Sequence, residues 1–127
     1  IQAATSIHNP EGFDMLVTYA VMIFAVAALG GLFLASYVLR GRRAPWAVSI
    51  LHALLGAAGL VVLVLAVLQG GTGRVTAALG LLVVAALGGF YLASLHMRGT
   101  VAPKGVVFLH AGLAVVGFLT LLTVIVM

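Results

Sequence analysis

Apolar residues occupy four long runs of the chain, at roughly 14–39, 47–68, 75–97 and 105–127, and short polar stretches separate them. Each run is long enough to supply the roughly 20 residues that a helix needs to cross a bilayer. Only helices and closed barrels satisfy their backbone hydrogen bonds in lipid, and the alternating pattern of barrel strands does not occur here. The pattern therefore predicts four transmembrane helices.

The second half of the chain repeats the first. Residues 28–69 and 86–127 align without a gap and share 18 identities in 42 columns. The shared positions are not only apolar: they include Gly30/Gly88, Gly31/Gly89, Ser36/Ser94, Arg40/Arg98, Pro45/Pro103, His52/His110 and Gly59/Gly117. A repeat of this length means that one two-helix unit occurs twice.

The repeat predicts the architecture as well as the elements. Two helices per copy give both copies the same orientation across the membrane, and short connections make neighbouring helices antiparallel. We therefore expect an all-α fold, a four-transmembrane-helix up-down bundle built from a tandem repeat of two-helix hairpins. Its parts are an outer N-terminal segment at 1–13, a first hairpin at 14–69 and a second at 70–127.

Composition and charge place this bundle in a membrane. Hydrophobic residues make up 65% of the chain and charged residues only 6%, against about 25% charged in soluble domains. Basic residues collect in the first and third connections, at Arg40, Arg42, Arg43, Arg98 and Lys104. The positive-inside rule then puts those two connections in the cytoplasm and both termini outside. We expect an integral protein of a bacterial or archaeal inner membrane, whose partner is the lipid bilayer and not nucleic acid.

Several kinds of chemistry are excluded by the residues that are missing. The chain has no cysteine, so disulfides, thiolate metal sites and covalently attached c-type haem are ruled out. Its two carboxylates, Glu11 and Asp14, lie at the start of the first run, which leaves the membrane interior without an acid for a proton relay.

Two histidines are the main candidates for chemistry. His52 and His110 each lie seven residues after a proline, about 10 Å below the cytoplasmic rim if the helices are regular. Gly59 and Gly117 share their helix faces. Two imidazoles at matched depth, on facing stripes of small residues, are what bis-histidine ligation of haem b requires. Packing and other cofactor roles are the alternatives for such a pair.

Further residues near the same rim extend the candidate site. Arg40 and Arg98 lie on the correct side to meet haem propionates. Ser36 and Ser94, one turn earlier, could orient the second ring nitrogen of each histidine, or could bond carbonyls of their own helix.

The other two histidines have no symmetric counterpart. Val38 occupies the position equivalent to His96. His96 could ligate a metal together with His52 and His110, donate a proton at a quinone site, or simply reach water at the interface. His8 belongs to the outer lead-in, where a solvated role is expected.

With paired histidines near one end, glycines on their faces and basic short loops, the chain resembles the small four-helix membrane b-type cytochromes. These include cytochrome b561-like proteins and the haem-anchoring subunits of quinone-linked dehydrogenases. The resemblance covers all four helices but rests on the placement of His52, His110, Gly59 and Gly117. It implies haem b, quinone or quinol chemistry and one-electron transfer. Two-haem members need four ligands, so we expect one haem here, near the cytoplasmic face.

These expectations combine into one leading hypothesis and two alternatives. The leading one is a haem subunit that passes single electrons between quinol or quinone and a partner, rather than a stand-alone enzyme; other membrane subunits or a homodimer are the expected associates. The first alternative is a non-catalytic subunit that scaffolds a larger respiratory or photosynthetic complex. The second is a small metal-handling or transport protein that uses His52, His96 and His110.

Overall fold

A computed structural model describes residues 10–71 and 73–127, and all of its regular structure is helical. The helices are α1 (Pro10–Leu39), α2 (Trp46–Leu68), α3 (Arg74–Met97) and α4 (Lys104–Val126). Each is long and apolar enough to cross a membrane. The predicted all-α four-helix architecture is confirmed, and α2, α3 and α4 begin within one residue of the predicted runs.

The first helix begins earlier than predicted. The outer segment was expected to extend to residue 13, but α1 already starts at Pro10. Proline is well suited to a first helical position because its φ is preset and its missing N–H is not needed there. Glu11 follows in the first turn, where a negative charge favours the helix N-terminus. His8 lies outside the described residues.

The two connections at the basic side have the same construction. Gly41 and Gly99 follow α1 and α3 with φ of 72° and 73°, a left-handed conformation that glycine adopts without strain. Pro45 and Pro103 then precede the first residues of α2 and α4. The end of the bundle that carries these two connections, residues 40–45 and 98–103, is called the basic end below.

The helices form a ring in chain order. The closest pairings are within each hairpin, α1 with α2 and α3 with α4; the hairpins meet where α1 contacts α4 and α2 contacts α3. Among the described residues, no Cα atom of α1 lies within 8 Å of one in α3, and the same holds for α2 and α4. The diagonal helices therefore face each other across the bundle without backbone contact.

The buried core occupies the half of the bundle away from the basic end. Leu63 of α2 and Leu121 of α4, which are equivalent in the repeat, are fully buried there. The rest of the cluster consists of Val17, Ala20, Val21, Phe24, Ala66, Val75, Ala78 and Leu82. His52 and His110 precede the two leucines by 11 residues, about 16 Å of helix rise. The histidines therefore lie beyond this core, in the half of the bundle next to the basic end, which is called the basic half below.

Candidate functional site: a histidine pair in the basic half

The structure brings the two predicted histidines together. His52 on α2 and His110 on α4 lie on diagonal helices, and the centroids of their rings are 6.2 Å apart. The ring planes are nearly perpendicular, at 87°. Both side chains are half-buried. The two side chains approach each other across the space between α2 and α4, whose backbones are not in contact.

Each ring is fixed by a hydrogen bond to the neighbouring helix of its own hairpin. Nδ1 of His52 lies 2.8 Å from the carbonyl oxygen of Ala27, and Nδ1 of His110 lies 2.7 Å from that of Ala85. A carbonyl oxygen can only accept, so Nδ1 must carry the proton in both rings. A neutral imidazole in that tautomer keeps a free lone pair on Nε2. Both histidines are thus oriented as metal ligands usually are, with a backbone carbonyl holding the second nitrogen.

Pairs of glycines in α1 and α3 make room for the rings. A Cβ added at Gly31 would lie 3.0 Å from Cε1 of His52, and one at Gly89 would lie 3.0 Å from Cε1 of His110. At Gly30 and Gly88 the nearest histidine atoms would be 3.7 Å away. The imidazoles therefore pack directly on glycine backbone. From the sequence, these glycines could serve helix packing or leave room for a flat cofactor; their repetition together with the histidines was the signal that the two are in contact.

The glycines predicted to line a cofactor slot lie elsewhere. A Cβ at Gly59 would be 2.7 Å from the Phe24 ring, and one at Gly117 would be 2.8 Å from Cγ of Leu82. Phe24 and Leu82 are equivalent in the repeat. Both glycines share the histidine face of their helix, but each is covered by a core side chain from the neighbouring helix. In this structure Gly59 and Gly117 therefore serve close helix packing, and a part for them in binding a cofactor stays a prediction.

The serines do not orient the histidines. The hydroxyl of Ser36 donates to the carbonyl of Phe33, and that of Ser94 donates to the carbonyl of Tyr91, each at 2.6 Å. These bonds run within one helix, which is the common behaviour of a serine in a membrane helix. The alanine carbonyls take the role that was considered for the serines.

Arg40 and Arg98 fold back along their own helices. Nε of Arg40 donates to the carbonyl of Ser36 at 2.9 Å, and Nε of Arg98 donates to that of Ser94 at 3.4 Å. The Arg40 guanidinium also lies 5.0 Å from the centre of the Tyr37 ring. Both arginines are exposed at the basic end. A contact with propionates would require them to extend from these positions, and that role stays a prediction.

His96 lies apart from the pair, between α3 and the start of α2. Its Nδ1 is 3.0 Å from the Ser49 hydroxyl, and its ring meets Trp46 edge to face with centroids 4.9 Å apart. Within residues 10–71 and 73–127, no group of three or more histidine, cysteine or acidic side chains is placed to hold a metal ion. The predicted alternative of a metal site formed by His52, His96 and His110 together is therefore wrong.

Comparison with known proteins found no match to this chain among family models, curated proteins or solved structures. What the histidine pair does must therefore be inferred from its own geometry.

Proposed function

We propose that the protein is a membrane b-type haem protein in which His52 and His110 are the axial ligands of one haem. In this role it passes single electrons between quinol or quinone and a partner subunit. The observation that carries the proposal is the separation of the two imidazole rings.

The separation matches a single metal ion between the rings. A metal–imidazole bond of about 2.0–2.1 Å, plus about 1.1 Å from the nitrogen to the ring centre, puts two ring centroids about 6.2–6.4 Å apart across a shared metal. The rings of His52 and His110 are 6.2 Å apart. Their perpendicular planes are compatible with this arrangement, because each ligand can rotate about its own metal–nitrogen bond.

The set of donors favours haem over a bare ion. Zinc and other first-row ions take four or more ligands in proteins, and the described residues offer no third histidine, cysteine or acid near the pair. Haem brings four nitrogens of its own and needs only two from the protein. A matched pair of imidazoles fits that requirement.

The surroundings of the pair fit a flat group. The pair lies outside the buried core cluster, and the flanking positions Gly30, Gly31, Gly88 and Gly89 have no side chains. Because Nδ1 of each ring is hydrogen-bonded to the carbonyl of Ala27 or Ala85, Nε2 is left free to bind a metal. When bound, haem supplies reversible one-electron chemistry.

The proposal extends to orientation and partners. The basic end, together with Lys104 at the start of α4, carries five of the six basic residues, which supports a cytoplasmic position for it and an outer position for both termini. A haem near one face does not span the bilayer, so electrons must be exchanged with quinol or with another subunit. Other membrane subunits or a second copy of the chain are the proposed associates, in an inner membrane.

The test is the reduced-minus-oxidised visible spectrum of protein purified from haem-replete cells. The wild type should show a low-spin b-type spectrum with one haem per chain. His52→Ala and His110→Ala should each lose the haem or give a high-spin spectrum, because only one axial nitrogen remains. Added imidazole should restore the low-spin form in either variant.

Leu51→Ala and Leu109→Ala are the matched controls, since these residues adjoin the histidines and are 57% and 64% exposed on the outer faces of α2 and α4. Both controls should keep the wild-type spectrum. A colourless wild type would reject the haem proposal and leave the non-catalytic membrane subunit as the better account.

A further inference from the structure

We propose that the basic end holds a binding site for the phosphate of one anionic phospholipid, in an open cavity formed by Arg43, Trp46 and His96. The cavity has a volume of about 530 Å³, and Ala44 and Met97 complete its lining. It lies where the first connection and the start of α2 meet the end of α3. This inference does not depend on the haem proposal.

Arg43 supplies an available positive charge to this cavity. Its side chain reaches the turn after α3, because a Cβ added at Gly99 would lie 3.2 Å from Nη1 of Arg43. Among the residues that the structure describes, no hydrogen bond or ion pair engages the Arg43 guanidinium. The acids Glu11 and Asp14 lie at the opposite end of the bundle. A phosphate would therefore meet a guanidinium with no competing carboxylate, and guanidinium binds phosphate through two parallel hydrogen bonds.

His96 and Trp46 give the cavity a fixed wall. The Ser49 hydroxyl engages Nδ1 of His96 at 3.0 Å, and the Trp46 ring meets the imidazole edge to face. This arrangement ties the end of α3 to the first turns of α2. Tryptophan is typical of the headgroup level of a membrane, and Trp46 is 43% exposed. The position of Trp46 therefore supports a depth for the cavity near the lipid phosphates.

The repeat provides an internal comparison. Arg43, Trp46, Ser49 and His96 correspond to Val101, Lys104, Val107 and Val38 in the other half of the molecule. The histidine pair and its glycines are identical in both halves, whereas this polar group exists in one half only. The cavity therefore has chemistry of its own that is not a by-product of duplication, and we expect one site per chain.

The charge of the cavity favours a phosphate over an uncharged headgroup. A quinone offers only neutral carbonyl acceptors and gains little from a free guanidinium. Basic pockets between transmembrane helices on the cytoplasmic side are suited to anionic headgroups, and one basic residue near the surface contributes about 1 kcal/mol, or about a five-fold preference. The apolar outer faces of α2 and α3 beside the cavity would accommodate the acyl chains.

The experiment uses Trp46, the only tryptophan of the chain, as a reporter located in the site itself. The full chain is reconstituted in phosphatidylcholine vesicles that contain a minor fraction of brominated phosphatidylglycerol or, in parallel, brominated phosphatidylcholine. Bromine quenches tryptophan fluorescence on contact. The wild type should show about five-fold preferential quenching by phosphatidylglycerol, because its phosphate has no cationic choline beside it to offset the charge that Arg43 recognises.

Arg43→Gln should abolish this preference, and His96→Gln should reduce it. Arg42→Gln is the matched control: it removes the same charge from the same connection but does not line the cavity, so most of the preference should remain. Circular dichroism checks that each variant keeps its helix content.

Three results would overturn the proposal. One is equal quenching of the wild type by the two lipids. Another is an equal loss of preference in Arg42→Gln and Arg43→Gln, which would reflect loop charge rather than a site. The third is complete loss of the preference on adding millimolar inorganic phosphate, which would assign the cavity to a soluble anion. Decylubiquinone is tested in parallel. If it quenches Trp46 more strongly than phosphatidylglycerol does, and if Arg43→Gln leaves this quenching unchanged, the cavity would be assigned to a quinone instead.

Discussion

The variants Gly30→Ala and Gly31→Ala should separate the contribution of histidine packing to stability from the contribution of helix propensity. A methyl group at Gly31 would place its carbon 3.0 Å from Cε1 of His52, whereas at Gly30 it would lie 3.7 Å from the nearest histidine atoms. Carbon atoms pack best at about 3.5–4.0 Å. Gly31→Ala therefore forces a displacement of about half an ångström, and Gly30→Ala forces none.

The cost of that displacement can be bounded. Overpacking costs about 1–3 kcal/mol, and the alternative is for the ring to rotate away and give up its hydrogen bond to Ala27, worth about 0.5–1.5 kcal/mol. Either substitution gains up to about 1 kcal/mol from replacing a helical glycine. Since this gain is common to both variants, Gly31→Ala should be less stable than Gly30→Ala by about 1–2 kcal/mol.

The free energy of unfolding is measured by denaturant titration in detergent with far-UV circular dichroism. The repeat supplies a second measurement, because Gly89→Ala and Gly88→Ala stand in the same relation to His110, at 3.0 and 3.7 Å. If the two variants within each pair are equally stable, the histidine rings do not pack on Gly31 and Gly89.

Two further predictions concern packing and orientation. Gly59→Ala should destabilise the protein by about 1–3 kcal/mol, because its Cβ would meet the Phe24 ring at 2.7 Å. A Cβ at Gly56, one turn away, would have no atom within 4 Å, so Gly56→Ala should not destabilise the protein. Equal free energies of unfolding for the two variants would contradict the observed contact between Gly59 and Phe24. Because the chain has no cysteine, Arg42→Cys and Gln69→Cys can report orientation by labelling with an impermeant maleimide. Only Gln69→Cys should be labelled from outside intact cells, and the reverse pattern would invert the proposed topology.

The fold was predictable from the sequence to a large extent because the bilayer leaves few choices. Four apolar runs of sufficient length must be helices, and the repeat gives their order and pairing. The start of α1 differs from the prediction because the polar residues up to 13 were assigned to the outer segment, whereas Pro10 already begins the helix. The pairing of His52 with His110 was predicted because duplication places equivalent residues at the same depth.

The details of the site were less predictable because periodicity gives a face but not the neighbour that covers it. Gly59 lies on the same face as His52, yet the adjacent helix α1 covers it with Phe24. Gly31 lies on a different helix and contacts the ring of His52 directly. Which glycine serves which purpose depends on the rotation of each helix about its axis, and no count along the chain supplies that angle.

The two halves of the molecule also differ in a way that separates the two proposed sites. Duplication of a single hairpin produces a site for a ligand that needs one imidazole from each side. The equivalent Nδ1 hydrogen bonds of His52 and His110, at 2.8 and 2.7 Å, are what such duplication produces. A site at the membrane surface has no such requirement, and the polar residues around Trp46 occur only once. The duplicated histidines and glycines therefore belong to the interior site, whereas Arg43, Trp46 and His96, which the other half does not repeat, form a separate group at the rim. On this basis His96, which Val38 replaces in the other half, belongs with the proposed site at the rim and not with the histidine pair.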